Sequence, residues 1–522
     1  MNVLKDQALA EQARRYQREL HHRKRCPVAT VSFETDAAAF QGWGVRVLDR
    51  FCVPVTLRAG DSVILDLGDH CVGYLHYALR HPVGAPITDS PVRLRFCFGE
   101  FPLEIVKLAE EYRGWLGSGW RQEEERAIVF TPYEGALERR YSFRYLKIER
   151  ADNAAFAVEL SDVWVDCVSA VDPLSVERPD IKDEQMKAIF EMSLKTLADC
   201  EQDVFEDGPK RDRRLWMGDL RLQALTDHLT FKNTALVKRC LYLFAAYRKE
   251  NGAVASYVFP DSPPYIDGGG FADYSLLFIS CLYDYAQNDG EREVIEQLYP
   301  IALEQMRVIT PVLPNAGAFI DWCPNLDKEI GLIGVYIYTI RQLASLSRML
   351  GKSTDEIERN VQNAEKLLSE RYSPQRGLYV TTRGQVSVHS QIWAVLSGSL
   401  AREECVRLLE RVRDERFEYH IHTPYMMHYY IEALYRYVSP EVALEYIKTF
   451  WGEIVRLGFD CCPEIFNPED HFDSPYDAPE FNSACHAWSC TPAYWIARYL
   501  AEKGENGRSE HERAQNVLKR AK

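Results

Sequence analysis

Between about residue 27 and residue 170, apolar positions alternate with polar ones or gather in short β-branched and aromatic runs. The clearest are SVILDLGDHCVGYLHYALR (62–80), PVRLRFCFGEF (91–101), RRYSFRYLKIER (139–150) and FAVELSDVWVDCV (156–168). A period of two is what a strand with one face on a core displays. Turns rich in Asp, Gly and Pro separate the runs, which predicts an antiparallel β-sandwich over 27–172. The polar stretch VDPLSVERPDIKDEQ, with two prolines, then reads as a linker over 173–184.

After Asp183 the period changes to three and four. KDEQMKAIFEMSLKTLADC (182–200), TALVKRCLYLFAAYRKENG (234–252), ADYSLLFISCLYDYAQNDG (272–290) and EVALEYIKTFWGEIVRLG (441–458) are among roughly a dozen such stretches. Several end in Gly, as helix C-termini do. A dozen consecutive helices in about six pairs, with no self-similarity at a fixed period, predict an (α/α)6 toroid over 185–505 and argue against a tandem array. The fold expected is therefore a multidomain α and β chain, an N-terminal antiparallel β-sandwich followed by an (α/α)6 toroid. The charged first 26 residues read as an N-terminal helical segment and 506–522 as a charged tail.

The loops between the helices carry the unusual residues. EDGPKRDRRLWMGD (206–219) packs Glu206, Asp207, Asp212 and Asp219 among Lys210, Arg211, Arg213 and Arg214, with Gly208 and Pro209 to prevent a helix. YIDGGGFADY (265–274), AFIDWCPN (318–325), DCCPEIFNPEDHFD (460–473) and NSACHAWSCTP (482–492) also join acids or His to aromatics and Gly or Pro. At one end of a barrel, five such loops would form an acidic, aromatic-lined pocket suited to a pyranose ring. Cleaving a glycosidic bond needs one acid for the leaving oxygen and one carboxylate for water or carbon. Loop 206–219 offers the first and loop 460–473 the second. Cations beside Asp212 favour its ionised form, so Asp207 and Asp219 would have to lie close enough to absorb them. Asp219 could equally cap the following helix, Asp273 and Asp321 could be caps as well, and Trp216, Trp322 and Trp488 could fill the core.

Composition narrows the partners. At 522 residues, 46% hydrophobic and 12% aromatic, the chain buries sizeable cores in more than one domain. A net charge of −15 opposes nucleic acid as a partner. The sequence has neither a signal-peptide core nor a run of about eighteen apolar residues, so no membrane partner is expected. Fourteen scattered cysteines without a C-x-x-C pair or zinc spacing point to reduced thiols and a cytoplasmic location.

The order of these motifs resembles the inverting α-L-rhamnosidases of glycoside hydrolase family 78, in the compact two-domain bacterial form. The run D-G-P-K-R-D-R-R-L-W-M-G-D is similar to that family's signature. FADYS (271–275), IDW (320–322), TPYMMHYYIEAL (423–434), the Glu464 loop and SACHAWS (483–489) follow in family order. The resemblance implies Asp212 as general acid and Glu464 as the general base that activates water. It places Asp207, Arg211, Asp219 and His486 on the sugar hydroxyls. Trp216 and Trp322 become apolar walls, and Tyr274 stands where many members carry Trp. Asp273, Asp321 and Trp488 complete the candidate sugar-binding set. Many members carry a Glu acid where Arg213 stands here, which leaves Asp212 to serve. No cofactor or metal is expected, the substrates expected are small rhamnosides, and the sequence is compatible with a homodimer. The rival readings are a glycosidase of another specificity on the same toroid and a sugar-binding protein that has lost catalysis.

Overall fold

The computed structural model describes residues 3–85, 90–107, 111–260, 264–266, 270–288 and 290–506; beyond Asn506 the expected charged tail lies outside the described residues. The strand-rich part is a single ten-stranded antiparallel sheet that curls on itself to enclose a core. Its spine is the long strand Ser62–Arg80, flanked by Tyr141–Arg150 and Val158–Ser169. Along Val92–Gly99 the burial alternates as the sequence does, with Val92, Leu94 and Phe96 inward and Arg93 and Arg95 outward. From Cys97 to Glu100 the alternation stops and every residue is buried, because the helical domain covers the outer face there.

The first 26 residues hold one helix, α1 (Gln7–Arg15), and two short strands rather than helix throughout. Val3–Lys5 pairs with Tyr247–Lys249 in the helical domain, and His21–Arg25 pairs with the edge strand at Val165–Ser169. Neither segment has a strand's hydrophobic pattern; each is extended because a partner's free edge receives it. A one-turn helix, α2 (Leu103–Val106), caps the sheet at the domain boundary.

Twelve α-helices follow among the described residues. They are α3 (Glu184–Cys200), α4 (Met217–Leu229), α5 (Thr234–Ala246), α6 (Ala272–Gln287), α7 (Arg292–Ile309) and α8 (Glu329–Met349), then α9 (Asp355–Ser369), α10 (Val388–Leu396), α11 (Arg402–Asp414), α12 (Pro424–Tyr437), α13 (Pro440–Arg456) and α14 (Pro492–Asn506). The even-numbered helices pack side by side as the inner ring and the odd-numbered ones lie outside, giving six hairpins. The two rings differ most clearly where α9 and α10 are compared. Outer α9 buries only Ile357, Val361, Ala364 and Leu368, one stripe at helical spacing, whereas all nine residues of inner α10 are buried. Helix α8 is long and apolar enough to cross a bilayer, yet 83% of that stretch is buried between α6 and α10.

Connections from inner to outer helices are short: residues 230–233, 288–291, 350–354, 397–401 and 438–439. Those from outer to inner are long and lie at the opposite end. All five suspicious loops belong to the long set, so the topology gathers them around the N-termini of the inner helices. The β-domain presses on the same end through buried and half-buried ion pairs. His70 Nδ1 lies 2.6 Å from Asp199, Arg140 pairs with Glu206 at 2.6 Å, and Arg144 with Asp460 at 3.0 Å.

Candidate active site

The loop from α3 to α4 begins with Asp207. Its two carboxylate oxygens accept the backbone N–H groups of Asp212 and Arg214, each at 3.1 Å, and so fold residues 207–214 into a closed turn. The basic residues of this turn then leave in different directions. Lys210 is buried between Glu100 and Glu104 of the β-domain, 3.1 Å from each. Arg213 donates to the Pro209 carbonyl at 2.8 Å, and Arg221, further on, pairs with Asp284 at 3.2 Å in the toroid core. Only Arg211 and Arg214 remain beside Asp212, at 3.4 and 3.3 Å.

Arg211 joins the two candidate catalytic loops. While Nη1 faces Asp212, Nη2 donates to Glu464 Oε2 at 2.8 Å, and the guanidinium lies 4.1 Å from the centre of the Tyr476 ring. Glu464 is 3% exposed and receives two further hydrogen bonds, from the Tyr476 hydroxyl on Oε1 and from the Ser483 backbone N–H at 3.1 Å on Oε2. Its backbone carbonyl accepts the Trp488 indole N–H at 2.9 Å, which ties loop 460–473 to loop 482–492.

These groups line one open-mouthed cavity of about 270 Å³, near the lower end of the range of small-molecule sites. Eleven of the twelve candidates from the sequence border it: Asp207, Arg211, Asp212, Trp216, Asp219, Tyr274, Asp321, Trp322, Glu464, His486 and Trp488. The exception is Asp273, which is buried in the first turn of α6 and accepts the backbone N–H groups of Phe319 and Ile320 at 2.9 Å each. It holds a wall and is not among the residues that line the cavity. Asp321 borders the cavity, but its carboxylate is consumed by His389, His422 N, Thr423 and Trp322 N. Neither residue caps a helix, and Asp219, in the first turn of α4, leaves the cap position to Trp216. Gly218 beside it is required, because a Cβ there would meet the Tyr274 ring at 2.4 Å.

Burial sets the electrostatics. Burial first and the adjacent Asp212 second push Asp207 up to about 8, and burial together with Asp207 pushes Asp219 well above the ordinary carboxylate range. Burial, aided by Arg211, pushes His486 down to about 3, so its imidazole is neutral. His486 Nδ1 lies 3.6 Å from Asp219 Oδ1, and both atoms are buried without a hydrogen-bond partner. The lining thus combines these donors and acceptors with the rings of Trp216, Phe271, Tyr274, Phe319, Trp322 and Trp488, several of which pack on one another.

The pattern of the sequence did not single out Tyr476, Lys328, Phe271 or Phe319 as cavity residues. Phe271 and Phe319 lie inside the quoted loops and could have been read from them. Tyr476 continues the 460–473 loop with a similar mixture of Pro, Asp and aromatic residues, whereas a single Lys328 at a helix start carries no signal. His70, Asp199, Cys461 and Cys485 form the metal-type cluster among the described residues, with ligand atoms within 4.8 Å of one another. It lies at the domain junction, outside the cavity lining, and Lys195 and His70 already offset the Asp199 charge.

Comparison with known proteins completes the picture. Residues 27–167 match the glycosyl hydrolase family 78 alpha-rhamnosidase N-terminal domain, and residues 180–500 match the bacterial alpha-L-rhamnosidase 6 hairpin glycosidase domain. Among solved structures, a rhamnosidase from Klebsiella oxytoca with rhamnose bound is similar at 35% identity and TM-score 0.91, covering 96% of this chain and 100% of that one. A family 78 rhamnosidase of Bacillus sp. GL1 shares the fold at 19% identity and TM-score 0.71, over 86% of this chain and 49% of that one. The Streptomyces avermitilis α-L-rhamnosidase complexed with L-rhamnose does so at 16% identity and TM-score 0.61, over 86% and 43%. No match is found among curated protein sequences.

Proposed function

The chain belongs to the α-L-rhamnosidases of glycoside hydrolase family 78, and from that premise we propose that it releases terminal α-L-rhamnose from small rhamnosides with inversion, Asp212 acting as general acid and Glu464 as general base. The observation that carries this reading is the single guanidinium of Arg211, which bonds Glu464 at 2.8 Å and faces Asp212 at 3.4 Å on the wall of one cavity.

Glu464 takes a proton from a water molecule as the water oxygen forms its bond to the anomeric carbon. Asp212 gives its proton to the glycosidic oxygen as the carbon–oxygen bond breaks. The products are β-L-rhamnose and the free aglycone, and an inverting pair needs its carboxyl groups roughly 6.5–9.5 Å apart to admit the water. Arg211, Tyr476 and the Ser483 N–H hold Glu464 in place by three donors and limit its rotation. Asp207, Asp219 and His486 bind the sugar hydroxyls, and the aromatic wall receives the face that bears the 6-deoxy methyl group. All fourteen cysteines are free thiols, which is consistent with a reducing, cytoplasmic setting and a substrate taken into the cell.

The test is hydrolysis of 4-nitrophenyl α-L-rhamnopyranoside by the wild type, Asp212→Asn and Glu464→Gln, with the product anomer followed by NMR. Expected are a loss of about a thousandfold in kcat for each variant and the β-anomer first. The α-anomer appearing first would replace inversion by retention, and an unimpaired variant would remove that residue from its role.

A further inference from the structure

The β-domain reaches the mouth of the cavity. Its segment 111–120 packs Tyr112, Leu116 and Trp120 against Tyr476, Ala478 and Phe481 in a small hydrophobic cluster apart from both main cores. Gly114 makes the approach possible, since a Cβ there would come within 2.8 Å of the Ala478 methyl. The segment carries Trp115, whose indole N–H donates to the Pro475 carbonyl at 2.9 Å and whose ring is 62% exposed. Tyr476 sits between two such rings, its centroid 5.8 Å from Trp115 and 6.1 Å from Trp322. Tyr476 and Trp322 line the cavity, so Trp115 extends the same aromatic surface outward from it.

We propose that Trp115, with Trp322, forms a binding site for the aglycone beyond the rhamnose pocket, and that the aglycone it takes has a flat aromatic face. The proposal rests on the rhamnosidase reading and adds to it which leaving groups the enzyme favours. The chemistry of the patch selects the occupant. The Trp115 indole N–H is given to Pro475, the Tyr476 hydroxyl to Glu464 and the Tyr112 hydroxyl to the Leu116 carbonyl. With these three handles bonded inside the protein, the Trp115 end of the patch offers mainly ring surface. A second sugar needs partners for its hydroxyls, whereas an aryl group needs only a face to stack on. The β-domain is thus a specificity element for the toroid's reaction.

The experiment compares kcat/KM of wild type, Trp115→Ala and Trp115→Phe on 4-methylumbelliferyl α-L-rhamnoside, a two-ring aryl substrate, on a rhamnosyl-glucose disaccharide, and on α-L-rhamnosyl fluoride, which has no aglycone to stack. Trp115→Ala is expected to lose roughly three- to tenfold on the aryl substrate, mainly through KM. Trp115→Phe should regain most of that, and the fluoride should change by less than about twofold. An equal loss on the fluoride would overturn the proposal, because Trp115 would then act only by holding Pro475 and hence Tyr476. No loss on the aryl substrate would overturn it too, and a larger loss on the disaccharide would overturn the aromatic occupant. Wild type that turns over none of the three would instead sink the rhamnosidase reading on which the proposal rests.

Discussion

Asp219 Oδ1 and His486 Nδ1 face each other at 3.6 Å, buried and without hydrogen-bond partners, in a protein whose other buried groups are mostly bonded. Leaving a buried polar atom unsatisfied costs about 1–3 kcal/mol, so such a pair is kept where a ligand's hydroxyls complete it. Removing the imidazole should therefore weaken sugar binding more than folding. His486→Ala is expected to raise the inhibition constant of free L-rhamnose by roughly tenfold or more with the helical circular dichroism unchanged. Because burial holds His486 near 3, the ring is neutral above that, and the effect should be the same at pH 5 and pH 6.5, both below the value near 8 of the neighbouring Asp207. An effect that fades at one of these pH values would show that a charged imidazole binds the sugar. At this scale the types of the residues that line the cavity were legible in the sequence, but their bonding partners were not. Four cations within five residues, Lys210 to Arg214, go to the β-domain, to Glu464 and Asp212 together, to a local carbonyl and to Asp212. Nothing in their spacing distinguishes them. Their destinations depend on which acids the fold brings near.

At the scale of elements, the cavity wall of residues 318–322 is held by α6. Asp273 pins it through two backbone N–H groups, and Asp321 crosses to α10 and to the residues before α12 through His389, His422 N and Thr423. The sequence offered both acids as sugar ligands or as helix caps, and the structure makes them braces for the loop that carries Phe319 and Trp322. Asp273→Ala leaves two buried N–H groups unpaired, a loss of about 2–4 kcal/mol in stability. The expected result is a lower urea midpoint together with a higher KM and a smaller change in kcat, as the Trp322 wall loosens. A variant with wild-type KM and midpoint would show that the loop holds its shape without α6. The helices themselves were readable because their periodicity is local, whereas inner and outer positions depend on distant packing: inner α4 buries Asp219, Arg221, Gln223, Asp227 and His228 among its apolar residues. The strands Val3–Lys5 and His21–Arg25 were not readable, because each is made by the edge it joins and not by its own pattern.

At the scale of the whole molecule, burial has stored protons in the interior. Burial pushes Glu104 and Asp227 up to about 7 and, with Asp212, Asp207 up to about 8. The unfolded chain gives up these protons near pH 4 and the folded chain keeps them longer. Their contribution to stability is thus greatest at low pH and is lost as pH rises toward 8. His228, His428 and His486 act in the opposite sense. Burial lowers them to about 4, 3 and 3, so they remove stability as pH falls below about 6.5 and contribute no slope above it. Between pH 6.5 and 8.5 these acids act in the same direction as His70, which, against the effect of burial, Cys461, Asp199 and Glu100 hold well above the ordinary histidine range, and the thermal midpoint should drop by a few degrees across that interval. A midpoint that rises or stays level there would show that these carboxyl groups are ionised in the folded protein.

The sequence by itself determined the two textures, their boundary near residue 175, the six helical pairs and the composition of the loops that form the cavity. All of these rest on local periodicity or on short ordered motifs, which survive without knowledge of distant contacts. The tertiary structure decided what those loops do. It alone set Asp212 and Glu464, 252 positions apart in the chain, on either hand of Arg211, turned Asp273 and Asp321 into braces, and brought Tyr476 and Trp115 to the site from loops of different domains. The physical reason is that hydrogen bonding, desolvation and ring contact act over a few ångströms in space, whatever the separation along the chain.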